Sequence, residues 1–196
     1  EKCAFRDTGI KKITLPSSLI YLSAYCFNDC FKLEEVNFPP NSKLQSIESY
    51  AFELSTLKFF SIPSSVIELK ENWRYEKIDV TVMPNNKMFI NYEDKFIIGK
   101  SCIESDIFDV LVFCRFNVEY AKIPSFIKKI RFDAFGIRSK LKTIEFEKDS
   151  NVKVIEKNSF HLSSLVKINI PSCVTKISFC AFCLCDKLKI INFTED

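Results

Sequence analysis

Apolar residues along this chain recur at mixed spacings of two to four, a pattern that neither one long helix nor one long strand produces. The run Ile170-Pro171-Ser172-Cys173-Val174-Thr175-Lys176-Ile177, continued by Ala181-Phe182, Cys185, Leu188, Ile191 and Phe193, shows the skeleton most fully. Ile62-Pro63-Ser64-Ser65-Val66 and Leu15-Pro16-Ser17-Ser18-Leu19 repeat its start, and Ala4-Phe5, Ala51-Phe52 and Ala134-Phe135 repeat its middle. Aligning Phe5, Phe27, Phe52, Phe135, Phe160 and Phe182 brings the other apolar positions into columns, with a spacing of 22 to 25 residues and one long central gap. Five residues before the phenylalanine stands Leu22, Ile47, Ile130, Ile155 or Ile177. After it come Ile10, Leu33, Leu57, Leu141, Leu165 and Leu188, then Ile13, Val36, Phe60, Ile144, Ile168 and Ile191. A last column holds Leu15, Phe38, Ile62, Phe146, Ile170 and Phe193.

One such unit cannot bury its apolar side alone, so neighbouring units must stack and share a core. The segment before the proline alternates, with Val36 and Phe38 inward and Glu35 and Asn37 outward, which predicts a short strand. Proline presets φ and serine competes for backbone groups, so Pro-Ser-Ser predicts a turn. Val174 to Ile177 then predicts a second extended return, and Ala-Phe-x-x-Cys a helical or irregular turn in which the rings stack from coil to coil.

These columns, roughly L-x-x-I-x-L-P-x-S-V-x-x-I-x-x-x-A-F-x-x-C, resemble the BspA-like class of leucine-rich repeats over Cys3 to about Glu71 and Ile123 to Phe193. The resemblance implies a curved leucine-rich-repeat β-solenoid with a parallel sheet and short second strands. By family, it also implies a bacterial or protozoan surface protein used for adhesion.

The regular repeats break after Leu69. Asn72-Trp73-Arg74-Tyr75 reads as a plug over the core, and Ile78-Asp79-Val80-Thr81-Val82 as a further strand. Lys95 to Gly99 and Val110 to Phe113 bracket the polar Ser101 to Asp109 segment and predict an irregular central hairpin. The Asn85-Asn86-Lys87-Met88-Phe89 lead and the resumption at Ile123-Pro124-Ser125 fit the insertion that the family often carries. One domain is expected over 1–196, with N-terminal repeats in 1–74, a divergent repeat and hairpin in 75–122, and C-terminal repeats in 123–196. Glu1 opens in mid-repeat and neither end shows a polar cap, so the sequence is read as part of a longer chain.

Composition changes this picture little. Nine of the 20 phenylalanines feed two repeat columns. Only three glycines argue against nucleotide-binding loops, which need tight turns at positive φ. The net charge of +3 is spread over interspersed Lys and Glu, and the densest basic run, Lys128-Lys129-Arg131, reads as a solvated face, so no nucleic-acid partner is expected. No apolar run approaches the roughly 18 residues of a membrane span. The nine cysteines are odd in number and several occupy repeat columns, Cys30 and Cys185 the same one, which predicts mostly reduced core thiols.

Candidate chemistry is thin. His161 and Cys183 share a column on adjacent coils, but neither an orienting group nor an oxyanion pocket is recognisable around Ser159 to Ser163. Cys180, Cys183 and Cys185 are claimed by or interleaved with core positions, so no metal and no cofactor is expected. Asn192-Phe193-Thr194 is a formal glycosylation sequon inside a predicted strand.

The remaining feature is the ladder of outward strand positions on the concave face: Lys12, Thr14, Glu35, Asn37, Phe59 and Ser61, then Thr143, Glu145, Lys167, Asn169, Ile190 and Asn192. Its mixed polar and apolar character suits protein binding better than catalysis. The reading is a non-enzymatic binding module of a cell-surface adhesin contacting host matrix or cell-surface protein. The alternative is an intracellular repeat scaffold, which unpaired thiols favour.

Overall fold

The computed structural model describes residues 1–74, 78–136 and 140–194, and Tyr75 of the expected plug lies outside them. The chain divides into two compact units, Glu1–Ile90 and Asn91–Asp196. The first contains β1 (Lys12–Thr14), β2 (Tyr21–Leu22), β3 (Glu35–Asn37), β4 (Ser46–Ile47), β5 (Phe59–Ile62), β6 (Glu68–Leu69) and β7 (Asp79–Val82). At the division lies β8 (Phe89–Tyr92). The second unit continues with β9 (Phe96–Gly99), β10 (Val110–Cys114), β11 (Tyr120–Ile123), β12 (Lys129–Ile130), β13 (Thr143–Phe146), β14 (Val154–Ile155), β15 (Lys167–Pro171), β16 (Lys176–Ile177) and β17 (Ile190–Thr194). No helix occurs among the described residues.

Each unit is a parallel β-solenoid. In the first, β1 pairs with β3 and β5 with β7, while β2, β4 and β6 form a sheet of returns. In the second, β11-β13-β15-β17 form the sheet of repeat strands. The returns β12, β14 and β16 extend a six-stranded sheet whose other members are β10, β9 and β8. The registers carry like columns onto like columns: Ile13 onto Val36, Phe60 onto Val80, and Ile168 onto Ile191.

The phenylalanine column is the spine of each core. Phe27 and Phe52 are fully buried and stack 5.4 Å apart, and Phe135 and Phe160 do the same at 5.0 Å. Burial of the whole column, expected from Phe5 to Phe182, does not hold at its two extremes. Phe5 and Phe182 are half-buried, because Phe5 stacks only on Phe27 and Phe182 only on Phe160. For the same reason Ile177, Ile191 and Phe193 stay exposed in the outermost described strands. Most other column residues in between are buried, but Val36, Phe38 and Phe146 are only half-buried; loss of contact with water is the main favourable term in a stack of this kind.

The turns around these rings are irregular, and the backbone shows why. Two residues before and two after the column phenylalanine, φ is positive: Cys3 and Asp7, Tyr25 and Asp29, Tyr50 and Leu54, Asn158 and Leu162, Cys180 and Leu184 all lie between 53° and 61°. Left-handed residues four apart prevent the i→i−4 bonding of a helix. The freed N–H groups bond the next coil instead. Phe27 donates to the Ala51 carbonyl at 2.8 Å, Phe135 to Ser159 at 2.7 Å and Phe160 to Ala181 at 2.8 Å.

Where the first unit's pattern breaks, Phe52 bridges Arg74, so Arg74 occupies the phenylalanine position and Trp73 that of the small residue. The Trp73 ring is buried against Phe52 and Phe60, 6.2 and 5.4 Å away, and fills the space of the absent phenylalanine. Asn86 closes the next turn. Its amide donates to the Pro63 and Val66 carbonyls, and its oxygen accepts from the Met88 and Phe89 N–H groups, so all of these polar groups are satisfied in a buried place. The central hairpin is the antiparallel pair β9–β10, with a register shift between Leu111 and Phe113.

Candidate protein-binding face

The outward residues of the first unit form the more developed surface. Register sets Lys12 beside Glu35 and Thr14 beside Asn37. Lys12 Nζ lies 2.9 Å from Glu35 Oε2, and Asn37 Nδ2 donates to Glu35 Oε1 at 2.7 Å. These two bonds and the Lys12 charge hold the Glu35 carboxyl below its usual range, while the same partner raises the Lys12 ammonium. Beside them runs the β5–β7 pair, in which Phe59 faces Asp79 and Ser61 faces Thr81. The Ser61 and Thr81 hydroxyls bond each other at 2.9 Å. Phe59 is 72% exposed. Lys12, Glu34, Glu35, Asn37, Phe59 and Ser61 line one open groove of about 450 Å³.

In the second unit Thr143, Lys167 and Ile190 stand side by side, and Asn192 Nδ2 donates to Asn169 Oδ1 at 3.0 Å. Tyr120 pairs with Thr143 and Lys122 with Glu145. The Tyr120 hydroxyl donates to Glu145 Oε2 at 2.8 Å, and that bond raises its pKa. Glu145 and Asn169 also line a separate recess of about 390 Å³ with Glu147, Asp149 and Thr194.

The expected residues therefore assemble as two sets, one in each unit. Asp79, Thr81, Tyr120 and Lys122 belong to the same outward faces and were missed from the ladder. The signal was present in the alternation of Asp79-Val80-Thr81-Val82 and Tyr120-Ala121-Lys122-Ile123, whose odd members face out. Both lie in the divergent stretch, where the columns give no alignment.

Cys180 and Cys183 form a disulfide within one turn, so the Cys183 sulfur is not a thiolate partner for His161. Among the described residues no group of three or more His, Cys, Asp or Glu is placed to hold a metal ion. In the basic run, Lys128 pairs with Asp109 and Lys129 with Glu156. The sequon asparagine Asn192 is exposed but lies mid-strand with its amide engaged. No helix of the described residues is long and apolar enough to cross a membrane.

Stacked coils with one short parallel strand each, a return strand and an outward polar ladder define a leucine-rich-repeat solenoid, a class built as a protein-binding surface. The chain belongs to the BspA type leucine rich repeat region family, whose profile matches residues 1–92 and 106–196 in six copies. No curated protein matches the chain. Among solved structures it is similar to a leucine-rich repeat protein from Eubacterium ventriosum, at 22% identity and a TM-score of 0.79, covering 99% of this chain and 57% of the other. The pneumococcal vaccine antigen PcpA gives 23% identity and a TM-score of 0.76, with 97% and 53% covered. A leucine-rich cell surface protein from Faecalibacterium prausnitzii gives 21% and 0.59, with 94% and 60% covered. The likeness is one of fold, and the chain spans little more than half the length of these structures.

Proposed function

We propose that this chain is a non-enzymatic protein-binding module of a cell-surface adhesin, contacting host matrix or cell-surface protein through the outward faces of its repeat strands. The observation that carries this reading is Phe59, a large apolar side chain 72% exposed at the start of the ordered strand β5. Such a residue serves no core, and interface energy concentrates in a few aromatic anchors. The surface location draws support from the family and from the neighbours described as a vaccine antigen and a cell surface protein.

Binding to mammalian epithelial monolayers and basement-membrane extract tests the reading. Phe59→Ala is expected to lower binding about tenfold or more, a loss of at least 1.4 kcal/mol, with the melting curve unchanged. The exposed Ser101 to Asp109 segment, with Ile103 and Ile107 at its surface, is the rival contact site. If its deletion abolishes binding while Phe59→Ala leaves it intact, the strand face is only a solvated surface. Seven cysteines outside any disulfide favour the second reading, an intracellular scaffold, since reduced thiols are usual in the cytosol. Surface labelling of intact cells separates the two.

A further inference from the structure

We propose that Phe59 and Asp79, with Glu35 at the rim, form a recognition site for a lysine or arginine side chain presented by a protein partner; the proposal rests on this face being the protein-binding one. Parallel register puts Phe59 and Asp79 directly beside each other on the outward side of β5 and β7. The Phe59 ring is open to solvent, and among the described residues no cation or second ring stacks on it. An exposed aromatic face attracts a cation through its quadrupole, and arginine also stacks flat against it.

The second half of the site is a carboxylate oxygen with nothing to accept. Asp79 Oδ1 is shielded from water and has no hydrogen-bond partner. Asp79 as a whole is half-buried, and an ammonium or guanidinium at its carboxylate supplies the opposite charge. Among the described residues none already does so. Lys58, which precedes β5, makes no ion pair with Asp79 among the described residues, and Lys12, which lines the groove, is engaged by Glu35 at 2.9 Å. Among the described residues Asp79 makes no ion pair, so an unpaired carboxylate stands beside Phe59.

Charge complementarity then decides among partners. An apolar side chain laid on Phe59 would cover Asp79 further without pairing it. An acidic one would meet Glu34, Glu35 and Asp79. A basic side chain satisfies ring and carboxylate together, and its aliphatic stem lies along Phe59 while its head reaches Asp79.

The test titrates the whole isotope-labelled chain with an acetylated, amidated Gly-Lys-Gly-Lys-Gly peptide and, separately, its glutamate counterpart, following amide and ring signals. The expected result is saturable shifts at Phe59, Asp79 and Thr81 with the lysine peptide and none with the glutamate peptide. Asp79→Asn and Phe59→Leu should each weaken the lysine peptide fivefold or more, while Asp186→Asn in the second unit, outside the ladder, leaves it unchanged. Asp79→Asn removes a charge that makes no ion pair among the described residues, so it should fold at least as stably as the parent, which a melting curve verifies. Absent saturation, or an affinity untouched by Asp79→Asn and Phe59→Leu, overturns the proposal. If in addition Phe59→Ala still abolishes matrix binding, the protein-binding reading survives and only the basic partner is lost. If the peptide titration behaves as expected while matrix binding ignores Phe59→Ala, the cation site stands and the adhesive reading falls.

Discussion

The Cys30 thiol donates to the Phe5 carbonyl at 3.0 Å, and one unit further on Cys185 donates to the Phe160 carbonyl at 2.9 Å. Thr8 and Ser163 occupy the same column and lie 3.6 and 3.3 Å from these sulfurs, so the column is a ladder of small donors, which a reading as apolar filler does not capture. Cys30 is fully buried, whereas Cys185 is half-buried because little packs beyond it. Burial also pushes the Cys26 thiol up to about 11, which keeps it protonated and unreactive at neutral pH. Iodoacetamide applied to the native chain at pH 7.5 should therefore modify the exposed Cys102 first and reach Cys26 and Cys30 only after denaturation. Prompt native labelling of Cys26 would contradict its burial. Glu53 gives a second prediction. Burial, and then the charge of Asp29, raises its carboxyl above the ordinary 4.5. The folded state thus holds this proton more tightly than the unfolded one, so stability falls as pH rises from 4.5 through the folded value and stays lower above it. Glu53→Gln should raise the melting temperature at pH 7 and flatten that dependence. Identical melting profiles across the window would remove Glu53 as a titrating site.

At the scale of elements, the turns hold the least legible feature of the chain. Positive φ is normally the province of glycine, yet each fully described phenylalanine turn uses two non-glycine residues at 53° to 61°. Stacking explains the exchange, since the interrepeat N–H bonds of these turns form only in that backbone shape. Asp and Asn tolerate it through local polar contacts, but Leu54, Leu162 and Leu184 have no such relief and are exposed as well. Leu162→Gly should remove about 1–2 kcal/mol of left-handed cost while losing roughly 0.5–1 kcal/mol to chain entropy. A small net stabilisation on chemical denaturation is expected. A clear loss of stability would mean that the Leu162 side chain packs where its exposure indicates otherwise. The strands were far more legible. Alternation located β3, β5 and β7, and the apolar runs flanking Ser101 to Asp109 located β9 and β10. What alternation could not give was the bulge between Leu111 and Phe113, because it depends on pairing across the hairpin.

For the whole molecule the stacked rings matter most. Phe160 has a ring on each side, Phe135 at 5.0 Å and Phe182 at 4.9 Å, and is fully buried. Phe160→Ala should cost about 3–5 kcal/mol, as truncation of a buried aromatic generally does, and an unchanged thermal midpoint would place Phe160 outside the core. Phe182→Ala should cost less, since that ring is stacked on one side only. The proposal of one domain over 1–196 predicts a single calorimetric transition, lowered alike by Phe27→Ala and Phe160→Ala. Two transitions, each shifted by one variant alone, would divide the chain near Ile90.

The period, the two strand types, the ring column and the outward ladder followed from the sequence alone, because a stack repeats the same environment and repeated environments leave aligned columns. Tertiary structure decided everything that depends on a neighbouring coil. It chose between a helical and an irregular turn by offering the turn N–H groups the next coil's carbonyls. It half-exposed Phe5 and Phe182 by giving each a single stacking ring. It also set Asp79, a residue that no column marks, beside Phe59, because strand register is fixed by burial of Phe60 and Val80 on the opposite face.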